Sequence, residues 1–267
     1  MLNRRTLIAA AAALPVSACA PRATARRSLN VATFNIWHDA GNWPVRAGLI
    51  ADALRAADAD VIALQEVLQD SRKNLPNQAE TLAAALGGYS VHFMSTAPEG
   101  AANRYGNAIL TRLPVIAVES RKLEPLNDHR TAIRVRVDVQ GRPVDLVNTH
   151  LAWQAHEGPM RAQQIRDLLG WLPGDGAPLV VMGDFNAPLD EAAIAPLLAR
   201  GLDTALAPGA VETTLVTSRG HKPRVIDHIL ADRRSFATRG ARLIGDMPVD
   251  GEYPSDHFGV SATLTLR

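Results

Sequence analysis

The stretch Leu179-Val180-Val181-Met182-Gly183-Asp184-Phe185-Asn186 contains a run of four apolar residues followed by a carboxylate and a carboxamide. A short apolar run of this kind is typical of a β-strand that is buried on both faces. Asp184 and Asn186 also favour turns and helix caps, and a turn here is compatible with a functional role for both. Because layered α/β folds present their chemistry where strands end, the stretch predicts such a fold with a site at this point.

Five further stretches place a carboxylate, a carboxamide or an imidazole near the end of a short apolar run. They are Thr33-Phe34-Asn35, Leu64-Gln65-Glu66, Asn148-Thr149-His150-Leu151, Ile226-Asp227-His228 and Ser255-Asp256-His257. Together with the first stretch they supply hard oxygen ligands and at least two histidines. Such a set is suited to holding a divalent cation and to hydrolysing a phosphate ester.

Apolar periodicity predicts strands and helices that are mixed along the chain, with antiparallel hairpins among them. Strands are predicted at 29–37, 60–64, 89–94, 107–110, 115–119, 131–139, 144–149, 179–182, 225–230 and 258–266, and helices at 44–57, 76–86, 161–171 and 190–198. A chain of 267 residues, of which 47% are hydrophobic, can bury one sizeable core without being divided. We therefore predict one domain in which two packed sheets have helices outside them.

The N-terminal residues have a different character from the rest of the chain. Arg4 and Arg5 precede an apolar run at 7–14 that is too short to cross a bilayer, which is typical of an export signal. The paired arginines favour the twin-arginine route. We predict an export signal at 1–18, a tether at 19–28 and the folded domain at 29–267. The protein is then expected in the periplasm, either free or held at a membrane that faces it.

Two ways of processing this signal are open. Val16-Ser17-Ala18-Cys19 resembles a bacterial lipobox, in which the cysteine is acylated and becomes the new N-terminus, whereas Ala18-Cys19-Ala20 also fits ordinary cleavage after Ala20. The lipobox is favoured because Cys19 is the only cysteine in the chain, so that no disulfide role is open to it. Anchoring to a membrane through a lipidated Cys19 is therefore expected.

The charge of the chain changes when this segment is removed. The whole chain carries a formal charge of +1, but the predicted signal contains two arginines and no acid, which leaves 26 basic and 27 acidic residues and a net charge of −1. Without the three arginines of the tether, the folded body carries −4. A strongly basic surface is typical of proteins that bind nucleic acid non-specifically. Its absence weakens a nuclease interpretation without excluding it, because a bound cation would supply local positive charge.

The six stretches resemble, in their order and separations, the motifs of the endonuclease/exonuclease/phosphatase superfamily. The resemblance covers residues 29–267 and implies an α/β fold of four layers, a sandwich of two mixed, mostly antiparallel β-sheets packed face to face with helices outside. This agrees with the strands predicted above. His150 resembles a histidine that contacts the scissile phosphate in the deoxyribonuclease I-like and neutral sphingomyelinase-like branches, and that the abasic-site endonucleases lack. It therefore favours the first two branches.

The resemblance implies a metal site at the ends of the first two core strands. Asn35 and Glu66 are similar to the metal-site pair of the family, and Asp256 would assist them. Glu66 is expected to be the main ligand, because a carboxylate directly after a buried apolar run would be costly without a partner. Mg²⁺ or Mn²⁺ is the implied ion. It would polarise the phosphoryl group and offset the charge that develops on the leaving oxygen.

The resemblance also implies catalytic roles for five residues. Asp184 would orient or deprotonate the attacking water, and Asn186 would donate a hydrogen bond to the phosphate. His150 would contact the scissile phosphate. Asp227 would orient the imidazole of His257 and raise its basicity toward the substrate.

Three further positions are candidates for substrate binding. The stretch Arg104-Tyr105-Gly106-Asn107 resembles the one in which family members place a phosphate-contacting aromatic residue or asparagine, which indicates Tyr105 and Asn107. The alternative for both is an ordinary role in a loop or at the start of a strand. Arg130 precedes a half-exposed strand and is either a phosphate contact or a solvated charge.

These observations predict a metal-dependent phosphoesterase that uses water as its nucleophile. No serine or cysteine stands beside a base in a nucleophile motif, so no covalent intermediate is expected. The expected substrate is a phosphodiester, either in nucleic acid or in a phospholipid head group. The alternatives are a phosphomonoesterase acting on sugar or inositol phosphates, and a non-catalytic binding module on the same fold. No protein partner is indicated, and a monomer is expected.

Overall fold

The computed structural model describes residues 28–267, so the predicted export signal, the lipobox with Cys19 and the tether up to residue 27 lie outside the described residues. The described part contains twelve strands and four α-helices. The strands are β1 Ser28–Asn35, β2 Val61–Asp70, β3 Ser90–Ser95, β4 Asn103–Thr111, β5 Val115–Lys122, β6 Thr131–Asp138, β7 Pro143–His150, β8 Leu179–Asp184, β9 Leu202–Thr204, β10 Asp227–Asp232, β11 Phe236–Ile244 and β12 Gly259–Leu266. The helices are α1 Trp43–Ala57, α2 Gln78–Leu86, α3 Gly158–Trp171 and α4 Ala195–Ala199.

The strands form two six-stranded sheets. The first has the order β11-β12-β1-β2-β4-β3 and the second has the order β5-β6-β7-β8-β10-β9. In each sheet the two central strands, β1 with β2 and β7 with β8, are parallel and the remaining pairs are antiparallel. Each parallel pair is connected by a helix, because parallel neighbours need a long crossover.

The sheets and helices form four layers, and a hydrophobic cluster fills each of the three spaces between them. The central cluster lies between the sheets and includes Val31, Ala63, Val135, Leu146 and Met182. A second cluster packs α1 and α2 against the outer face of the first sheet, and a third packs α3 and α4 against the outer face of the second. Because side chains alternate along a strand, neighbouring residues of the central strands supply the inner and the outer clusters. The predicted four-layered α/β sandwich is confirmed.

Each sheet contains an equivalent run of four strands. The succession β12-β1-β2-β4 of the first sheet matches β6-β7-β8-β10 of the second in order and in the direction of every pairing. The registers agree as well, since Asn35 pairs with Gln65 across the first parallel pair and His150 pairs with Asp184 across the second. The chain thus repeats one β-α-β unit, once in each sheet.

Several elements differ from those that the sequence predicts. β2 continues to Asp70 instead of ending near residue 64, because it resumes pairing with β4 after an irregularity. The last helix starts only at Ala195, since Pro196 has no N–H to donate and its ring disfavours a preceding helical turn. β9 and β11 were not predicted. β9 has three residues, and β11 is an edge strand whose register shifts between Arg239 and Arg242.

In the described part of the chain, no helix combines the length and apolar character that a bilayer crossing requires.

Candidate active site

The ends of the central strands place the predicted residues at one edge of the sandwich. Asn35 and His150 are the last residues of β1 and β7, and Asp184 is the last residue of β8. Asp227 begins β10, which runs antiparallel to β8 and pairs with it so that Asp227 lies opposite Asp184. His257 lies just before β12, which is antiparallel to β1. Because carboxyl ends of parallel strands and amino ends of antiparallel neighbours share an edge, residues far apart in sequence meet here.

A cleft of about 900 Å³ opens at this edge between the two sheets. Eight of the eleven predicted site residues line it: Glu66, Tyr105, Arg130, His150, Asp184, Asn186, Asp256 and His257. The other three, Asn35, Asn107 and Asp227, are buried behind the cleft wall. A cleft of this size, lined mostly by polar and charged side chains that converge on it, is a candidate site for a small polar molecule or for part of a larger substrate.

Asn35 connects the carboxylates of the two sheets. Its amide nitrogen donates to Glu66 Oε1 at 3.2 Å and to Asp184 Oδ2 at 3.0 Å. Its amide oxygen accepts the backbone N–H of Trp37 at 3.0 Å, which fixes the orientation of the amide. Asn35 therefore holds both carboxylates in place through its nitrogen, and its predicted role as a metal ligand stays a prediction.

Glu66 reaches the cleft because β2 contains a β-bulge. The register with β4 shifts between Leu64 and Val67, so that Gln65 and Glu66 both lie opposite Asn107. Two residues opposite one is the pattern of a bulge, in which side-chain alternation is interrupted. Glu66 adopts a φ of +59°, which is uncommon for a residue other than glycine. Regular alternation would instead have placed Glu66 on the helix-covered face with Leu64.

The environment of Glu66 disfavours its charge in the ion-free protein. Burial raises the pKa of Glu66, and the nearby Asp256 carboxylate raises it further, although the hydrogen bond from Asn35 opposes both effects. Burial, together with the Glu66 carboxylate, also raises the pKa of the Tyr105 phenol. Tyr105 is therefore a neutral donor at physiological pH. A cation between Glu66 and Asp256 would remove the cost of these neighbouring charges.

A second group of charges is built around Asp184. His150 Nε2 lies 3.4 Å and His257 Nε2 lies 3.8 Å from Asp184 Oδ2. On its other side, His257 Nδ1 donates to Asp227 Oδ2 at 3.0 Å, which fixes the orientation of the ring. The backbone N–H of Asn186 donates to Asp184 Oδ1 at 2.8 Å. The predicted pairing of Asp227 with His257 is thus present in the structure.

These contacts give the two histidines different protonation states at neutral pH. Burial lowers the pKa of His150 to about 3, and Arg130 adds to this effect, so His150 is neutral. Burial also disfavours a charge on His257, but the carboxylates of Asp227 and Asp184 outweigh it and raise the pKa of His257 to about 10. Burial opposes ionisation of Asp184 too. The charge of His257 and the hydrogen bonds from Asn35 and Asn186 prevail and lower the pKa of Asp184.

Two groups of side chains could hold a cation. The ligand atoms of Asp184, Asp227 and His257 all lie within 4.8 Å of one another. Asp227 is completely buried, and its bond to His257 would have to be given up to bind an ion. Glu66 and Asp256 both line the cleft and are both acidic, and Glu66 lacks a cationic partner among the described residues. We therefore regard Glu66 and Asp256 as the better first site.

The predicted substrate-binding residues have different surroundings. Tyr105 and Arg130 line the cleft, and Arg130 forms an ion pair with Asp128 at 3.3 Å. Asn107 is buried and donates to the carbonyl and hydroxyl oxygens of Thr131 at 2.9 and 3.0 Å. Asn107 therefore connects the two sheets behind the cleft.

Four residues that the sequence did not single out contribute to the site. Ser255 Oγ donates to the carbonyl of Asn35 at 2.7 Å, and so ties the segment that carries His257 to β1. Gln65 donates to Asn148 Oδ1 at 2.7 Å across the two sheets. These three lie within the quoted stretches, where their polarity at a strand end was the available signal. Trp153 lines the cleft although 63% of it is exposed, and no pattern in the sequence marks it.

Comparison with known proteins agrees with this geometry. Residues 32–257 match the sequence profile described as the Endonuclease/Exonuclease/phosphatase family, and this range contains all the residues of the site. The chain belongs to the endonuclease/exonuclease/phosphatase family. Members of this family generally use divalent metals, and the structure contains an Asp/Asp/His group that could hold one. The fold of this family is that of nucleases and phosphatases.

Individual members of the family resemble the chain to different extents. The uncharacterized protein YbhP of Escherichia coli strain K12 is 26% identical over 149 residues, which cover 51% of this chain and 57% of that relative. The catalytic domain of human Nocturnin with a bound sulfate anion has a TM-score of 0.73 at 23% identity, covering 91% of this chain and 96% of that one. D. rerio TDP2 in complex with a single-strand DNA product has a TM-score of 0.72 at 20% identity, covering 89% of this chain and 99% of that one. These two solved structures show the fold.

Proposed function

We propose that this protein is a divalent-metal-dependent phosphodiesterase that acts on nucleic acid or on a phospholipid head group by direct attack of water. One observation carries the proposal, namely that Glu66, Asp184, His150 and His257 converge on one cleft at the carboxyl edge of both sheets. This cleft combines oxygen ligands, a buried ionised carboxylate and an imidazole held by a second carboxylate. Metal-assisted hydrolysis of phosphate esters requires such groups.

Each residue has a role that its contacts support. Glu66 and Asp256 would hold Mg²⁺ or Mn²⁺, which supplies charge neutralisation at the phosphoryl group and the leaving oxygen. Asp184, whose pKa is lowered by its neighbours, accepts a proton from the attacking water. His257, which Asp227 keeps protonated, donates to a phosphoryl oxygen. The neutral His150 donates to the same phosphate, and the side chain of Asn186 is held in place by its bond to the Leu151 carbonyl at 3.1 Å.

The first test is hydrolysis of bis-nitrophenyl phosphate by the purified protein, with and without a chelator. We expect activity that a chelator abolishes and Mg²⁺ or Mn²⁺ restores. We expect Glu66→Ala, Asp184→Ala and His257→Ala each to lower kcat by about 10²-fold or more. If these three variants keep full activity, or if the wild-type protein cleaves only phosphomonoesters, the proposal is wrong.

The second test separates the two kinds of diester. The protein is incubated with plasmid DNA and with sphingomyelin liposomes, and released products are quantified side by side. The DNA-bound TDP2 structure supports nucleic acid as a candidate through its fold alone, whereas the net charge of −4 on the folded body favours a substrate with fewer phosphates. If product is released from only one of the two substrates, that result assigns the enzyme to nucleases or to phospholipid phosphodiesterases.

We also propose that the protein is exported, is lipidated at Cys19 and works as a monomer. The sequence around Cys19 and the paired arginines support export and lipidation, and the family motifs lie within a single chain. Incorporation of labelled palmitate in cells that express the full chain, compared with Cys19→Ser, tests the anchor. Equal labelling of the two proteins would contradict it, and sedimentation of the soluble enzyme tests the monomer.

A further inference from the structure

Two buried arginines occupy equivalent places in the two halves of the sandwich. Arg46 follows Asn35 by eleven residues, and Arg161 follows His150 by eleven residues. Asn35 and His150 are themselves equivalent, because each ends the first strand of a parallel pair. Among residues 28–267, Arg46 and Arg161 are also the two largest side chains with less than 2% exposure. Each lies in the first turn of the helix that connects its parallel pair, two residues after a proline.

The guanidinium of Arg46 donates hydrogen bonds to the loop that follows β1. It donates to the carbonyl oxygens of Ile36 at 2.8 Å, Trp37 at 3.1 Å, His38 at 2.9 Å and Ala40 at 2.7 Å. A further bond of 3.0 Å reaches the carbonyl of Pro254, directly before the segment Ser255-Asp256-His257. One side chain therefore ties the loop after Asn35 to the segment that carries Asp256.

Arg161 has the same relation to the loop that follows β7. It donates to the carbonyl oxygens of Ala152 and Gln154, both at 2.9 Å. The rest of the guanidinium forms a bidentate pair with Glu191, with bonds of 2.7 and 3.0 Å. This loop begins at Leu151, whose carbonyl holds Asn186, and it carries Trp153 into the cleft.

The contacts of both arginines suit a guanidinium and no other side chain. Arginine offers five N–H donors in a rigid plane, whereas lysine offers three from a single nitrogen. In the part of the chain that the structure describes, Arg46 has no carboxylate partner within 4.0 Å, so its charge is balanced by carbonyl dipoles and by the faces of Trp37 and Trp43. Burying a charge in this way is expensive, and its benefit here is the geometry of the loop.

The two loops serve different parts of the site. The first sheet provides Glu66, and the segment attached through Pro254 provides Asp256, so Arg46 lies behind the two residues assigned to the cation. The same segment carries His257, but the ring of His257 is held by Asp227 on β10 of the second sheet. Loss of the Arg46 contacts is therefore expected to affect the cation more than the imidazole. The second sheet provides His150 and Asp184, so Arg161 lies behind residues assigned to the phosphate and the water. No ligand atom belongs to either arginine, and neither lines the cleft.

We propose that Arg46 and Arg161 are paired positioning residues, of which Arg46 sets the affinity for the cation and Arg161 sets the alignment of the phosphate-contacting groups. The assignment of what each loop binds rests on the proposed function. The pairing itself rests on the equivalent positions and contacts of the two arginines. The inference therefore predicts that the two losses are separable: one variant should lose ion affinity, and the other should lose kcat.

The experiment compares Arg46→Lys and Arg161→Lys in the full chain, with Arg55→Lys on α1 and Arg166→Lys on α3 as matched exposed controls. Mn²⁺ binding is measured by calorimetry without substrate. We expect Arg46→Lys to weaken it by about 10- to 100-fold and Arg161→Lys to change it by less than about 2-fold. With bis-nitrophenyl phosphate at saturating Mn²⁺, Arg161→Lys should lower kcat by about 10- to 100-fold and Arg46→Lys by less than about 3-fold. Both controls should match the wild-type protein in both measurements.

Hydrogen exchange of the ion-free proteins provides a readout that needs neither metal nor activity. Arg46→Lys should speed exchange in 36–42 and 254–257 only, and Arg161→Lys in 151–157 only. If the wild-type protein cleaves no diester, the proposed function fails, whereas loop-specific exchange still supports the pairing. Where a lysine variant does not fold, the glutamine variant at the same position, Arg46→Gln or Arg161→Gln, replaces it in all measurements. Faster exchange throughout the molecule, equal losses of Mn²⁺ affinity in both variants, or failure of both substitutions at either position to fold would overturn the inference.

Discussion

At the scale of single residues, the site contains buried charged groups. Their neighbours offset the free energy of desolvation only in part. Glu66 is held by an amide and faces another carboxylate, so that burial and repulsion raise its pKa. His257, in contrast, lies between two carboxylates that raise its pKa. Perturbed groups of opposite kinds in one cleft are typical of functional sites. The acid and base assignments therefore follow from which neighbour each group has.

Replacing Glu66 by glutamine is expected to stabilise the ion-free protein. The pKa of Glu66 is higher in the folded than in the unfolded state, because burial disfavours its charge. The folded state therefore holds the proton more tightly than the unfolded state does. The free energy of unfolding decreases as pH rises through the folded pKa. In a chelator at pH 8 we expect Glu66→Gln to raise Tm by about 2–4 °C, equivalent to ~1 kcal/mol. The gain should shrink at pH 4.5. Thermal unfolding at both pH values measures it, with the exposed Glu99→Gln as control; an unchanged Tm at pH 8 would contradict the argument.

Replacing Asp227 by asparagine is expected to change the pH dependence of catalysis. Asp227 raises the pKa of His257, so its loss lowers that pKa. Activity that needs protonated His257 is lost as pH rises through the pKa, and the basic limb of the kcat profile should therefore move to lower pH. We expect kcat at pH 7 to decrease by about 10²- to 10⁴-fold. Asp232→Asn at the other end of β10 is the control, and a basic limb that stays in place would exclude this role.

At the scale of elements, two backbone irregularities place the catalytic carboxylates. The bulge in β2 turns Glu66 into the cleft, as its register with β4 shows. In β8, Gly183 has a φ of +146°, and a Cβ at this position would lie 1.9 Å from the carbonyl oxygen of Thr149 on the neighbouring strand. Only glycine allows β7 and β8 to approach so closely directly before Asp184.

Gly183→Ala is expected to separate the strands that carry His150 and Asp184. Backbone atoms would have to move to relieve the clash, so we expect a loss of at least about 3 kcal/mol in the free energy of unfolding. Gly170→Ala in α3 is the matched control, because its Cβ would meet no atom within 4 Å. It should increase stability by about 0.5–1 kcal/mol. Denaturant unfolding measures both variants, and equal stabilities would refute the steric account.

At the scale of the whole molecule, the site lies where two similar halves meet. Asn35 and Gln65 of the first sheet correspond in register to His150 and Asp184 of the second. The halves have nevertheless diverged chemically, since the first offers an amide and the bulged Glu66 and the second offers an imidazole and an aspartate. A bound ion would therefore be held by residues of the first sheet, and a bound phosphate by His150 of the second sheet and His257 before β12 of the first. The core between the sheets keeps these groups in contact.

Binding of a cation should therefore stabilise the entire fold. An ion that binds only the native state adds about 2.7 kcal/mol to the free energy of unfolding when its concentration is a hundred times Kd. We expect Mn²⁺ to raise Tm of the wild-type protein and to have little effect on Glu66→Gln. Scanning fluorimetry across a Mn²⁺ titration measures this, with Ca²⁺ and a chelator for comparison. An equal increase in both proteins would place the ion elsewhere.

The sequence by itself determined the fold class, the alternation of strands and helices around the core, and the chemical identity of the residues at the strand ends. These properties are local, because an apolar run and the polar residue that ends it are read from neighbouring positions. Its predictions were weakest where local signals are short or exposed, as in β9 and β11, or where Pro196 delays a helix.

Only the tertiary structure decided which side chains meet and which face each one occupies. Asn35 bonds to Asp184, 149 residues away, and the bulge that aims Glu66 depends on its pairing with β4. The equivalence of Arg46 and Arg161 likewise becomes visible only when the strand registers show that Asn35 and His150 hold equivalent positions. Such contacts depend on strand pairing over long separations in the chain, and on backbone strain that the packed core sustains, and neither is encoded in a local pattern.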